Sequence, residues 1–284
     1  AFKLAPRLNA AGRMQHADLA LQLLTAAEVS GALQIAERLD QLNRQRRQIE
    51  TEMMNAVRGF LRENPDVLNN QSLVFDRADW HEGVLGIVAS RLVERYGKPV
   101  VMIATGSGEG KGSARSVAGI DLHDGLAQCS QWLEAFGGHA MAAGLRIRPD
   151  RIESFRKAFE ICIRQLSGGK KFEPEIQIDY RLDFEQINET LLNEIDMLEP
   201  FGSANPQPLF TAQRVNVLEN KIIGEHHRRM ILQQSGGRRA PRMQAVQFNV
   251  DPGRSLPATL ERVAYHLQWN HWNGRRTPQL IIVD

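Results

Sequence analysis

One apolar stripe dominates the first quarter of the chain. Leu39, Leu42, Ile49, Met53, Val57 and Phe60 recur at spacings of three, four and seven, the period of one helix face. Thr25-Ala26-Ala27-Glu28 reads as a capping box at its start. Asn64-Pro65 ends it, because the residue before proline is pushed out of the helical region. At about 1.5 Å per residue such a helix spans roughly 50 Å, more than a small domain can enclose. Arg44, Arg46, Arg47 and Glu50 crowd the other face. The segment therefore reads as an interdomain strut, with a short coiled coil as the competing reading.

A strut needs something at each end. The chain has 284 residues, 42% hydrophobic and 24% charged, enough for two domains or one with a large appendage. No apolar run approaches the roughly 18–20 residues that span a bilayer, which excludes a membrane-spanning protein. Cys129 and Cys162 are too few for a disulfide framework or a zinc site and fit a reducing cytosol, so a cytoplasmic location is expected. The chain opens Ala-Phe-Lys-Leu-Ala-Pro, without an initiator methionine or signal pattern, and reads as part of something longer.

Before the strut, Pro6 to Met14 is rich in glycine and alanine and carries Arg7 and Arg13. The planar forks of these side chains suit an oxyanion, or equally the carboxylates of a neighbouring domain. A short helix is expected over Ala17–Leu24. After the strut, Ser72–Phe75 and Pro99–Ala104 read as buried strands around a helix from Gly83 to Arg95, a parallel crossover unit. Asp79-Trp80-His81-Glu82-Gly83 sits at the strand-to-helix turn, where α/β folds place ligand groups. His81 and Glu82 suit acid–base work or helix capping. Gly106 to Ser113 looks like a phosphate loop but lacks the G-x-x-x-x-G-K-[ST] spacing before Lys111, so no nucleotide-triphosphate site follows.

Ser113 and Arg115 alternate to one face of a strand, where a hydroxyl and a guanidinium can hold one phosphate together. Gly137-Gly138-His139-Ala140-Met141-Ala142-Ala143-Gly144 surrounds one ionisable group with small residues. Such a stretch lets a backbone or a phosphate approach closely, and a tight turn with His139 hydrogen-bonded in the core is the other reading. Asp150 to Glu153 resembles a second capping box, for a helix to about Leu166.

Ser167-Gly168-Gly169-Lys170-Lys171 is a linker. Beyond it, Glu175–Leu182 alternates as a strand and Phe184–Leu198 carries a helical stripe. Short strands near Leu209–Leu218, Met230–Gln233, Met243–Asn249, Val263–Trp269 and Leu280–Val283 suggest a small barrel of the OB kind. Nine acids and one base, Arg181, lie between Glu173 and Glu199, whereas eleven Lys and Arg face five acids after Phe201. Arg228, Arg229, Arg238, Arg239 and Arg242 interleave with Phe248, Tyr265, Trp269 and Trp272. Basic groups that track a backbone and aromatics that stack bases are how such barrels hold single strands.

Five stretches together resemble the bacterial RecJ family of the DHH phosphoesterase superfamily: Arg7-Leu8-Asn9-Ala10-Ala11-Gly12-Arg13-Met14, Trp80 to Ile87, Gly112-Ser113-Ala114-Arg115-Ser116, Gly137 to Gly144, and Glu199-Pro200-Phe201-Gly202. The Gly-Gly-His stretch is shared across the superfamily and with the C-terminal domain of alanyl-tRNA synthetases. The Trp-His-Glu-Gly and Glu-Pro-Phe-Gly stretches bring RecJ nearer. The resemblance implies an α/β plus β fold: the end of a catalytic DHH domain (1–28), a long connecting helix (29–65), a mixed-sheet DHH-associated domain (66–168) and an OB-fold-like β-barrel (169–284). It implies a 5′→3′ single-stranded-DNA exonuclease of repair and recombination.

The family's metal motifs, Asp-x-Asp and Asp-His-His, are absent; Asp121-Leu122-His123-Asp124 and His226-His227 are the nearest strings. Mg or Mn is therefore expected in an N-terminal domain outside this chain, no metal ligand is expected within it, and the chain alone is expected to be inactive. By resemblance Arg7, Arg13, Trp80, His81, Ser113, Arg115, Ser116, Gly137 and Gly138 would bind the substrate, and His139 would contact the phosphate. Arg228, Arg229, Arg238, Arg239 and Trp272 would serve the barrel. Single-stranded DNA is the expected partner, beside repair proteins such as a single-strand-binding protein or a helicase, with the chain a monomer. A non-catalytic nucleic-acid or tRNA-binding module and a small-oligonucleotide phosphodiesterase are the alternatives.

Overall fold

The computed structural model describes residues 3–106, 108–169, 175–202, 204–224, 227–236, 241–248, 250, 253 and 255–284. The chain divides into two compact units, Ala1–Pro174 and Glu175–Asp284. Among the described residues no helix is long and apolar enough to cross a membrane.

The first unit begins with α1 (Ala5–Met14) and α2 (Asp18–Leu24), both packed on α3 (Val29–Glu63). Pro6 at the start of α1 costs no hydrogen bond there. α3 runs for 35 residues, and the two halves of its stripe do different things. Leu39 and Leu42 are buried in the half that receives α1 and α2, while Met53, Met54, Val57 and Leu61 belong to the core of the α/β layer. Both halves of the stripe are therefore buried within the first unit. The capping box does not form: Glu28 is the N-cap without a side-chain bond, and the Thr25 hydroxyl donates to the Leu21 carbonyl instead. Nor is the polar face uniformly solvated, since Glu50 is buried.

A five-stranded sheet follows, in the order β1-β2-β3-β5-β4. β1 (Leu73–Arg77) and β2 (Val100–Ala104) are parallel, joined by α4 (Glu82–Tyr96); β3 (Gly110–Arg115), β5 (Ala142–Ile147) and β4 (Ala135–His139) continue antiparallel. One face of β1 and β2 packs Leu73, Phe75, Val100 and Met102 against α3 and α4. The other face packs Val74, Val101, Ile103, Ala114, Ala143 and Leu145 against α5 (Leu122–Gln128) and α6 (Ile152–Leu166). The strands carry this alternation because successive side chains point to opposite faces. Asp121 caps α5 by accepting from His123 and Asp124. Asp150 does not cap α6 but pairs with Arg148. Gly137–Gly144 is no loop: it is the β4–β5 hairpin at the edge of the sheet.

The second unit is a closed barrel. β7 (Phe210–Ile223), β8 (His227–Gln234), β9 (Arg242–Gln247), β11 (Arg275–Ile282) and β10 (Thr259–Trp272) pair in that order, and β10 pairs back onto β7. β9 and β11 are parallel and the other barrel pairs antiparallel, the arrangement of an OB-fold. The alternation expected over 175–182 survives only as β6 (Tyr180–Arg181), paired with β7. The stripe after Phe184 becomes one 3₁₀ turn and α7 (Glu189–Asp196), whose Leu192 and Ile195 join the barrel core. Inside, the Tyr265 hydroxyl donates to the Leu182 carbonyl at 2.6 Å, and burial pushes its pKa up.

Candidate phosphate-binding cleft

The first unit holds a cavity of about 310 Å³ lined by Arg13, Gly86, Ile87, Ser90, Arg91, Glu94 and Arg115. α1, α4 and β3 meet there because α4 carries glycine at the two positions of closest approach, Gly83 and Gly86. A Cβ on Gly83 would lie 1.9 Å from the Arg13 carbonyl oxygen, so only glycine lets α1 end against α4. A Cβ on Gly86 would lie 2.6 Å from Arg115 Nη2 and 3.0 Å from Ser113 Oγ. On β3, Arg115 Nη1 donates to Ser113 Oγ at 3.0 Å and to the Ala114 carbonyl at 2.7 Å. Ser113 and Arg115 do share a face, as the alternation requires.

The charges at the cavity do not balance locally. Burial chiefly, and then the positive charge of Arg13, lowers the pKa of Arg115. Among the described residues Arg13 has no carboxylate partner. Arg91 is held from behind by Glu50: its Nε is 2.5 Å from Oε1, off the hydrogen-bond direction, while Arg46 Nη1 donates to Oε2 at 2.8 Å. Arg46 is lowered chiefly by burial, opposed by Glu50 and reinforced by Arg13. Three arginines, Arg13, Arg91 and Arg115, thus share the lining with one carboxylate, Glu94, and Glu50 is buried behind Arg91.

The floor continues across the sheet. Register places Arg115, Ala142 and His139 in one row, and Ser113, Gly144 and Gly137 in the next. Residues in a row project to the same face, so His139 lies two strand spacings, about 10 Å, from Arg115. Gly144, Gly137 and His139 are exposed and Ala142 half-buried, which makes a shallow, small-residue shelf from the cavity to the sheet edge. Lys111 and Arg146 form the third row and pair with Glu82 and Glu109. Gly138 points the other way at φ +148, where a Cβ would lie 2.4 Å from the Ala142 carbonyl oxygen.

Several expected residues are elsewhere. Arg7 is tied to Asp40 at 2.7 Å and to the Lys3 carbonyl. Trp80 is buried in the α4 core. His81 caps α4, its Nδ1 accepting from Gly83 N at 3.1 Å. Ser116 is buried, its hydroxyl donating to the Ile120 carbonyl. Sequence reasoning missed Gly86, Arg91, Lys111 and Arg146. Gly86 did leave a signal, since glycine inside a helix weakens it unless something needs the space.

In the barrel, Arg228 faces inward and is buried, while Arg229 and Arg242 are exposed; Arg238 and Arg239 lie outside the described residues. Tyr265 and Trp269 are core, with Arg276 stacked 4.4 Å from the Trp269 ring. Trp272 is 72% exposed beside the Asn273–Gly274 turn, and Phe248 is exposed with His227 edge-on at 5.2 Å.

Comparison with known proteins agrees with this architecture. A DHHA1 domain model matches residues 69–165 and a RecJ OB domain model residues 178–284. The chain is RecJ-like. It is 35% identical to the single-stranded-DNA-specific exonuclease RecJ of Dickeya dadantii over 99% of its length, and 31% identical to that of Bacillus subtilis over all of it. It spans 50% and 36% of those relatives. The crystal structure of Thermus thermophilus RecJ in complex with Mg²⁺ superposes with a TM-score of 0.81 at 28% identity, covering all of this chain and 42% of that one; the Mn²⁺ complex gives 0.80. The RecJ-like chain does not fit such an ion by itself: among its described residues no three His, Cys, Asp or Glu side chains converge on a point.

Proposed function

We propose that this RecJ-like chain is the strand-gripping part of a 5′→3′ single-stranded-DNA exonuclease of repair and recombination, working in the cytoplasm, and that the Arg13–Arg115 cavity takes the terminal 5′ phosphate. The observation that supports this reading is the shared lining: Arg13, Arg91 and Arg115 open onto one cavity against a single lining carboxylate, Glu94. A phosphate monoester carries about 1.5–2 negative charges at neutral pH, whereas an internal diester carries one. Two guanidiniums side by side therefore favour the strand end. The following nucleotides cross the shelf of Ala142, Gly144 and Gly137, where small residues admit a backbone, and His139 donates to a phosphate at the far edge.

The barrel adds salt-dependent contacts through Arg229 and Arg242 and a stacking surface at Trp272 and Phe248. Bond cleavage falls to residues beyond this chain, whose sequence lacks both Asp-x-Asp and Asp-His-His. The test is fluorescence anisotropy of the 284-residue chain with 5′-phosphorylated and 5′-hydroxyl oligothymidine. The phosphorylated end binds more tightly, Arg13→Ala or Arg115→Ala abolishes that preference at a cost of about tenfold, and no cleavage accompanies binding. Equal losses for both ends would refute the cavity assignment.

A further inference from the structure

We propose that Gly86 is a positioning residue that sets the discrimination between a phosphorylated and an unphosphorylated strand end; this rests on the phosphate reading of the Arg13–Arg115 cavity. Glycine in a helix interior weakens the helix relative to alanine, so its place in the second turn of α4 has to return something. The coordinates show what. The three atoms nearest a Cβ at this position are side-chain atoms of β3, Arg115 Nη2 at 2.6 Å, Ser113 Oγ at 3.0 Å and Arg115 Cζ at 3.3 Å, and Arg115 lines the cavity. Gly83, one turn earlier, is the contrast, because its crowding atoms are the Arg13 backbone.

An added methyl at Gly83 must therefore move a helix, whereas at Gly86 it need only push a guanidinium. Nη1 of Arg115 is already engaged by Ser113 and the Ala114 carbonyl, and its Nη2 is the atom nearest a Cβ at Gly86. Restoring ordinary contact distance moves that nitrogen by about 1 Å, enough to break those two bonds or to turn the fork away from Arg13. Phosphate recognition by a guanidinium depends on fork geometry as well as charge. The helix and the sheet remain; the aim of one side chain does not.

The experiment uses the 284-residue chain as wild type, Gly86→Ala and Gly59→Ala. Gly59 is an α3 glycine with nothing within 4 Å of its would-be Cβ, so it reports the effect of alanine on a helix alone. Each protein is titrated with 5′-phosphorylated and 5′-hydroxyl oligothymidine, and its thermal midpoint is recorded. Gly86→Ala keeps or raises the midpoint and cuts the preference for the phosphorylated end about tenfold. Gly59→Ala keeps the preference. A preference retained within about twofold in Gly86→Ala, a sharp fall in its midpoint, or an equal loss in Gly59→Ala overturns the role given to Gly86. A wild type that does not distinguish the two ends removes the phosphate reading itself, and the specificity role with it.

Discussion

Replacing Glu50 by glutamine tests how the cation cluster is held. Glu50 is 2% exposed and sits between Arg46, whose side chain is 12% exposed, and Arg91, at 58%. Breaking a fully buried pair costs about 3–5 kcal/mol, because an uncompensated charge is left behind. That figure is reduced here on two grounds. The Arg91 half faces water and contributes about 0–1 kcal/mol. Arg46 also keeps its bonds to Asn43 Oδ1 at 3.1 and 3.3 Å. About 2 kcal/mol remains, carried by Arg46, which burial already penalises. For a unit of this size each kcal/mol moves the midpoint by about 2–4 °C, so Glu50→Gln should lower the first unit's calorimetric transition by about 4–8 °C. Arg91→Ala should lower it by no more than about 4 °C. A Glu50→Gln shift below about 1 °C, or an Arg91→Ala effect larger than that of Glu50→Gln, would refute the argument.

Three further outcomes can be measured independently. Gly138→Ala should destabilise the first unit by about 1–3 kcal/mol in urea titration, since it combines an unfavourable φ with a backbone clash. Asp40 is held below its usual carboxylate value of 3.8 by hydrogen bonds from Arg44 and then Arg7; its stabilisation is complete above that value and disappears as pH falls through the lower folded one. Asp40→Asn should therefore make the stability profile less steep below about pH 4, seen as a smaller fall in midpoint between pH 4 and pH 3 than the parent shows. Trp272→Ala should leave stability within about 0.5 kcal/mol while weakening single-strand binding by about 1–3 kcal/mol; unaltered binding would remove the hairpin tip from the interface.

The parts of this fold readable in advance were those governed by period. The stripe from Leu39 to Val57, the alternation in β1, β2 and β3, and the barrel strands all follow from which face must be dry. What could not be read was where a polar group finds its partner. Arg7 and Arg13 are equivalent in the sequence, yet one is tied to Asp40 and the other opens onto the cavity. Glu50 looked like part of a wet face because its two arginines lie on different helices, and only packing brings Arg91 beside it. Trp80 and His81 share a motif with Gly83 and Gly86, but the first fills a core, the second caps a helix, and the glycines shape the cavity. Arg228 and Arg229 are adjacent, and the pleat sends one inward and the other out.

The cavity shared by Arg13 and Arg115 ties the proposed ligand to the fold. Arg13 ends α1 and Arg115 ends β3, and α3 packs against both α1 and α4. On the proposed phosphate reading, an anion held there would be thermodynamically a component of the folded state. Buffer composition then becomes a variable of stability: phosphate at a hundred times its dissociation constant would add about 2.7 kcal/mol to the first unit and nothing to the barrel. Two units of one chain would melt at temperatures whose separation depends on the salt they are dissolved in.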